Sequence, residues 1–157
     1  SAILAALWPV FAESIAKHEW GLVRRYLRKY LALGLSFMFI CTVSLIWLMP
    51  VAVEILAPKE NIIIPIEFII QLGFYYMVRV WTDTFAMVLL SISQMKPFWV
   101  YVPIQAILSI VMQWVLVPVY GLYGVVLGLT ASFIFTVSWA LPLAAWKNYK
   151  LHQYSLT

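Results

Sequence analysis

Between Lys96 and Lys147 the chain runs Pro97–Trp146, PFWVYVPIQAILSIVMQWVLVPVYGLYGVVLGLTASFIFTVSWALPLAAW, 50 residues without a charged side chain. A helix crossing the roughly 30 Å hydrocarbon layer needs about 20 residues at about 1.5 Å of rise each, so this stretch is too long for one crossing. Pro118-Val-Tyr-Gly121 divides it, because Pro lacks the helix donor and Gly favours a turn. Two spans are predicted, at residues 98–117 and 122–145, joined by a short hairpin.

Working outward, residues 30–53 form a run of 24 without charge, which predicts another span. Residues 64–91 are long and apolar enough for a further one, although they carry Glu67, Gln71, Arg79 and Asp83. Residues 2–15 are too short to cross and read as the end of a severed helix, with Ser1 a cut through a longer protein. The expected fold is therefore all-α, a polytopic transmembrane helix bundle of four full spans plus the end of another. Composition agrees: 65% of the 157 residues are hydrophobic and 10% charged, too much apolar surface for so small a globule to hide. A soluble enzyme, a disordered tail and a stand-alone nucleic-acid-binding domain are excluded. A single cysteine, Cys41, excludes a disulfide scaffold.

Orientation follows from the loops. Residues 17–29 are basic and amphipathic, with Ile15, Leu22, Val23, Tyr26, Leu27 and Tyr30 recurring at helical spacing around Arg24, Arg25, Arg28 and Lys29. This segment is expected to lie as a helix on the cytoplasmic surface. Counting spans alternately, Lys17, Arg24, Arg25, Arg28, Lys29, Lys96, Lys147 and Lys150 fall on one side and Lys59 on the other. The basic side, with the C-terminus, is then cytoplasmic.

No Ser-His-Asp order, phosphate loop or Cys-x-x-Cys occurs, and neither His18 nor His152 has a second ligand at useful spacing. No catalytic residue, metal or cofactor is expected, and no nucleic acid. The informative span is 64–91, where Glu67, Gln71, Tyr75, Arg79 and Asp83 form an i+4 ladder. Two readings stay open: Arg79 and Asp83 are an ion pair hidden in the bundle, or they line an aqueous lumen and contact an anionic or sugar substrate. Gln105, Ser109 and Gln113 make a second polar stripe on the next span. Gly121, Gly124 and Gly128, with Ala131 and Ser132, place small residues along one face of the last span, as close helix packing requires. Trp99, Tyr101, Trp146 and Tyr149 sit near span ends as interfacial anchors.

Taken in order, several segments resemble a known family. Leu7-Trp-Pro-Val-Phe-Ala-Glu13 is followed by the basic loop and a long apolar span. Ser93-Gln-Met-Lys-Pro97 makes a short turn, and Leu116-Val-Pro-Val-Tyr-Gly-Leu-Tyr-Gly124 leads into the small-residue helix 125–132. The whole is similar to the C-terminal lobe of the bacterial polysaccharide flippases of the O-antigen type, relatives of the multidrug and toxic-compound extrusion transporters. One departure is the pair Gln105 and Gln113, where such proteins often carry Asn.

The resemblance implies one lobe of a two-lobed, alternating-access transporter in the inner membrane, whose missing N-terminal lobe is its chief partner. It implies flipping of an undecaprenyl-diphosphate-linked oligosaccharide to the outer leaflet. Arg79, Asp83, Gln71, Tyr75, Gln105 and Gln113 would line the lumen, and Asp83 or Glu67 would couple H⁺ or Na⁺. Competing expectations are an ion-coupled multidrug exporter, a membrane-embedded glycan enzyme and a structural membrane subunit in which Arg79–Asp83 is only a brace.

Overall fold

A computed structural model describes Glu13, residues 20–56 and residues 64–154. The severed helix end expected at 2–15, His18 and Lys59 lie outside the described residues, as do the side chains of Lys150 and His152. Beyond Glu13, five helices follow in order: α1 (Trp20–Leu56), α2 (Ile66–Ser91), α3 (Lys96–Tyr120), α4 (Leu122–Phe135) and α5 (Val137–Tyr154). The chain is a helical membrane bundle. Gly21–Ile55, Lys96–Tyr120 and Leu122–Lys147 are each long and apolar enough to cross a membrane. At 26 residues α2 matches them in length, but it carries Glu67, Arg79 and Asp83.

Two predicted boundaries move. From Trp20 onward the basic segment is the start of α1 rather than a separate surface helix. No proline interrupts α1 before Pro50, and the apolar side of this segment, Val23, Tyr26, Leu27 and Tyr30, packs on Val88 of α2. Its partner is thus protein. Arg24 lies over the ring of Trp146 in α5, 5.9 Å from the centroid.

The second change is at the last span, which is two helices broken at Thr136 (φ −117°, ψ −81°). In lipid every freed backbone group needs a partner inside the protein. The Thr136 hydroxyl donates to the carbonyl of Ser132, and Trp139 Nε1 donates to that of Phe135 at 2.9 Å. Six residues on, Pro142 has no N–H to give the carbonyl four residues earlier, that of Ser138. Trp81 Nε1 of α2 donates to that same carbonyl at 3.0 Å, so a side chain of one helix replaces the bond a proline removed from another.

This yields a stability prediction. Trp81→Phe in the full-length protein should cost about 0.6–1.7 kcal/mol, the range of interhelical hydrogen bonds in membranes. In a Pro142→Ala background the new N–H can take the Ser138 carbonyl, and the cost of Trp81→Phe should shrink. Equal losses in both backgrounds, by thermal melting in detergent, would refute the substitution of one donor for the other.

The turns are built by their sequence. At the end of α2, Ser93 adopts φ +56° while its N–H bonds the Leu90 carbonyl and that of Gln94 bonds Leu89. This is the paired bonding of a Schellman cap, with Ser where Gly is usual. Gly121 turns α3 into α4 at φ +58°, ψ −132°, a region that favours Gly.

α2 is the hub. Gly34 of α1 sits on Val80, and Gly73 sits on Thr42 of α1. On its other side α2 meets α4 through Phe68–Tyr123 and Tyr75–Phe133 edge-to-face ring pairs, with centroids 5.8 and 5.7 Å apart. Near its C-terminal end Leu89, fully buried, joins Val137 and Leu141 of α5, with Phe98 and Tyr101 of α3 against them. The outer faces of α1 and α3 expose Trp47, Trp99 and Trp114 almost completely, as lipid-facing surfaces do.

Candidate functional site

The i+4 ladder of α2 does not stay on one face. Each step of four advances about 40°, so from Glu67 to Asp83 it winds through about 160° and climbs about 24 Å. Glu67 is exposed near Ile70 and Phe74, which are also exposed. Gln71 is half-buried and donates to the Tyr123 carbonyl of α4 at 3.0 Å. Tyr75 is buried against Phe133. Gln71 and Tyr75 are therefore spent on packing α2 against α4, and Glu67 and Asp83 lie too far apart to share one ion.

Arg79 and Asp83 remain as the polar opening. Arg79 Nη1 donates to the Tyr75 hydroxyl at 3.3 Å, and its Nε lies 3.7 Å from Asp83 Oδ2. About half of the Arg79 side chain, 51%, and 40% of that of Asp83 stay accessible. The pair is not sealed in the bundle. It occupies the sector of α2 between the contacts with α1 and those with α4, midway along the helix. A guanidinium with a hydroxyl at Nη1 and a carboxylate beside Nε still has Nη2 and further N–H donors with which to meet an anion.

The second stripe faces elsewhere. Gln105 Nε2 of α3 donates to Ser132 Oγ of α4 at 3.2 Å, and Gln113 Nε2 donates to Ser109 Oγ at 2.8 Å. Gln113 lies against Gly128. Val126, Thr130 and Phe133 form one side of α4 and Gly124, Gly128 and Ser132 another, so α4 separates this stripe from Arg79. Gly124 and Gly128 touch the backbone of α3, whereas a Cβ on Gly121 would meet nothing within 4 Å. Gly121 therefore serves the turn and not the packing. Among the described residues no group of three or more His, Cys, Asp or Glu comes together that could hold a metal ion.

What the ladder conceals is a straighter stripe. Ile69, Leu72, Tyr76, Arg79 and Asp83 alternate steps of three and four and so remain on one side of α2. The signal was present in the spacing, but three of its five members are apolar or aromatic and read as core.

Curated proteins match the chain along most of its length. Over 144 residues the chain is 44% identical to a Yersinia pseudotuberculosis protein carrying the provisional name O-antigen export protein. It is 36% identical over 143 residues to a provisionally named O-antigen transporter of Salmonella typhimurium, and 37% identical over 143 to one of Salmonella typhi. The chain is similar in sequence to proteins provisionally named as O-antigen exporters or transporters. The matches cover 91–92% of this chain and 33% of each relative, so the chain spans about a third of the length of the curated relatives it matches. No family model and no solved structure matches. Those relatives are named an export protein and transporters, and the chain here, with three helices long and apolar enough to cross a membrane, is a multi-pass membrane protein.

Proposed function

We propose that the chain is the C-terminal lobe of an O-antigen flippase, which moves an undecaprenyl-diphosphate-linked oligosaccharide from the cytoplasmic to the outer leaflet of the bacterial inner membrane. The observation that carries this is the 44% identity to an O-antigen export protein along nearly the whole chain. The open Arg79–Asp83 pair midway along α2 supports it, because ionisable residues within a membrane span mark substrate and ion pathways. In this reading α2 is a fourth crossing, the basic start of α1 and the C-terminus are cytoplasmic, and an N-terminal lobe closes the cavity that Arg79 faces. Asp83 is the candidate for H⁺ or Na⁺ coupling, through differential binding of the ion to the two access states.

The test uses the intact parent protein. Deleting its gene should make lipid-linked oligosaccharide accumulate on the inner leaflet, and restoring the wild-type protein should clear it. A C-terminal green fluorescent protein fusion should complement and fluoresce, as a cytoplasmic C-terminus requires. Drug sensitivity without accumulation would overturn the reading.

A further inference from the structure

The stripe on α2 continues into a groove. Beside the line where Gly34 and Gly73 hold α1 and α2 together, two cavities open between these helices. One, of about 410 Å³, lies where Ile46, Met49 and Pro50 of α1 face Ile66 and Ile69 of α2. The other, of about 270 Å³, lies where Met38 and Leu45 face Leu72 and Tyr76. Ile69 lines both. The larger falls in the range of roughly 300–1,000 Å³ that ligand sites occupy. Together they follow the stripe for about 15 Å, the rise of 10 helical residues from Ile66 to Tyr76, and Arg79 stands one turn further along it. The stripe then turns from apolar to charged within one turn, Tyr76 to Arg79.

We propose that the α1–α2 groove holds the hydrocarbon tail of the exported lipid while Arg79, one turn beyond its inner end, holds the phosphate. This rests on the flippase reading and names how its substrate is seated. The shape suits an anionic single-chain amphiphile, an apolar trough with one cation a single turn beyond its Tyr76 end. Depth selects the occupant. Arg79 stands midway along α2, and a resident phospholipid keeps its phosphate at the membrane surface. A phosphate reaches Arg79 only on an amphiphile in transit. Direction agrees as well: the trough runs from Arg79 toward the Ile66 end, where a tail already points when its headgroup comes from the leaflet at the Ser91 end.

The experiment uses the full-length transporter in nanodiscs of phosphatidylethanolamine and phosphatidylglycerol, with a photoreactive decaprenyl diphosphate as probe. Crosslinks should map to Ile46, Met49, Ile69 and Leu72. Unlabelled undecaprenyl phosphate should compete, a tenfold excess of phosphatidylglycerol should not, and Arg79→Ala should reduce labelling at least fivefold. Labelling spread evenly over the outer face of α3, at Ile107 and Ile110, or equal competition by phosphatidylglycerol, would overturn the proposal and leave the groove to ordinary acyl chains. In cells, Leu72→Trp or Met49→Trp should fill the trough and lower export severalfold at equal protein level. Ile70→Trp, on another, exposed side of α2, should not. Specific labelling elsewhere in the transporter would sink the groove and leave the flippase reading standing, whereas absence of accumulation on gene deletion would sink both.

Discussion

Arg79→Ala in the full-length protein should cut O-antigen export by roughly 10- to 100-fold, the equivalent of one lost charge-assisted hydrogen-bonding group of about 1.5–3 kcal/mol. The difficulty is that the same variant strands Asp83 in the membrane, and an unpaired charge there costs at least about 2.5 kcal/mol on insertion scales. Loss of export after Arg79→Ala alone would not separate a substrate contact from a broken brace. The double variant Arg79→Leu/Asp83→Leu does. Replacing both members of an ion pair by apolar residues is often neutral or stabilising, so the protein should accumulate in the membrane at wild-type level. If the pair only braces the bundle, export returns with it. If Arg79 meets the phosphate or Asp83 couples the ion, export stays lost although the protein is present, and Asp83→Asn, which leaves Arg79 in place, separates the two. Arg79→Lys should recover part of the activity, since an ammonium keeps the charge but not the planar fork. Export assayed as surface O-antigen, normalised to membrane-inserted protein, decides among these outcomes.

How far the chain could be read without its structure varies with the kind of signal. The hairpin at Gly121 was legible because Pro118 and Gly121 act locally, and the helices formed where apolar runs exceeded the membrane thickness. The break at Thr136 was not, because the side-chain bonds around it leave no mark on the apolar pattern. Thr136 and Trp139 supply side-chain partners for the freed carbonyls, and no uncharged 24-residue run announces that. The continuity of α1 was hidden because amphipathic spacing says that a face is covered without saying by what; Val88 covers it here, not lipid headgroups. For the candidate site the sequence named Arg79 and Asp83 and a face that drifts around the helix, but not the residues the drift separates from them. A strict i+4 ladder looks like one face on paper yet drifts about 40° per step. Gln71 and Tyr75 accordingly belong to the α2–α4 seam, and the Gln105–Gln113 stripe lies beyond α4.

Gly124→Ala and Gly128→Ala should each destabilise the full-length protein by about 1–3 kcal/mol, the usual cost of overpacking a tight contact. Two effects oppose each other. Alanine in a helix interior is favoured over glycine by about 0.5–1 kcal/mol, which alone would make both changes stabilising. The decisive point is what the new Cβ meets. At Gly124 it would come within 2.5 Å of the Leu116 carbonyl oxygen and 2.7 Å of the Val117 nitrogen, and at Gly128 within 2.8 Å of the Gln113 nitrogen. These are backbone atoms of α3, which no rotamer change can move aside, so the helices must separate. They are tied at Gly121, only three residues before Gly124, and a displacement near that hinge grows along α4. The Gln105–Ser132 hydrogen bond, 3.2 Å and farthest from the hinge, should be the first to open. Gly21→Ala supplies the control: its Cβ would meet nothing within 4 Å, so only the helix preference acts and stability should hold or rise slightly. Melting temperatures of the three variants in one detergent give the test. If all three behave alike, propensity outweighs contact and α3 and α4 are not packed backbone to backbone; a drop at Gly124 and Gly128 alone means that the two glycines exist to let those backbones touch.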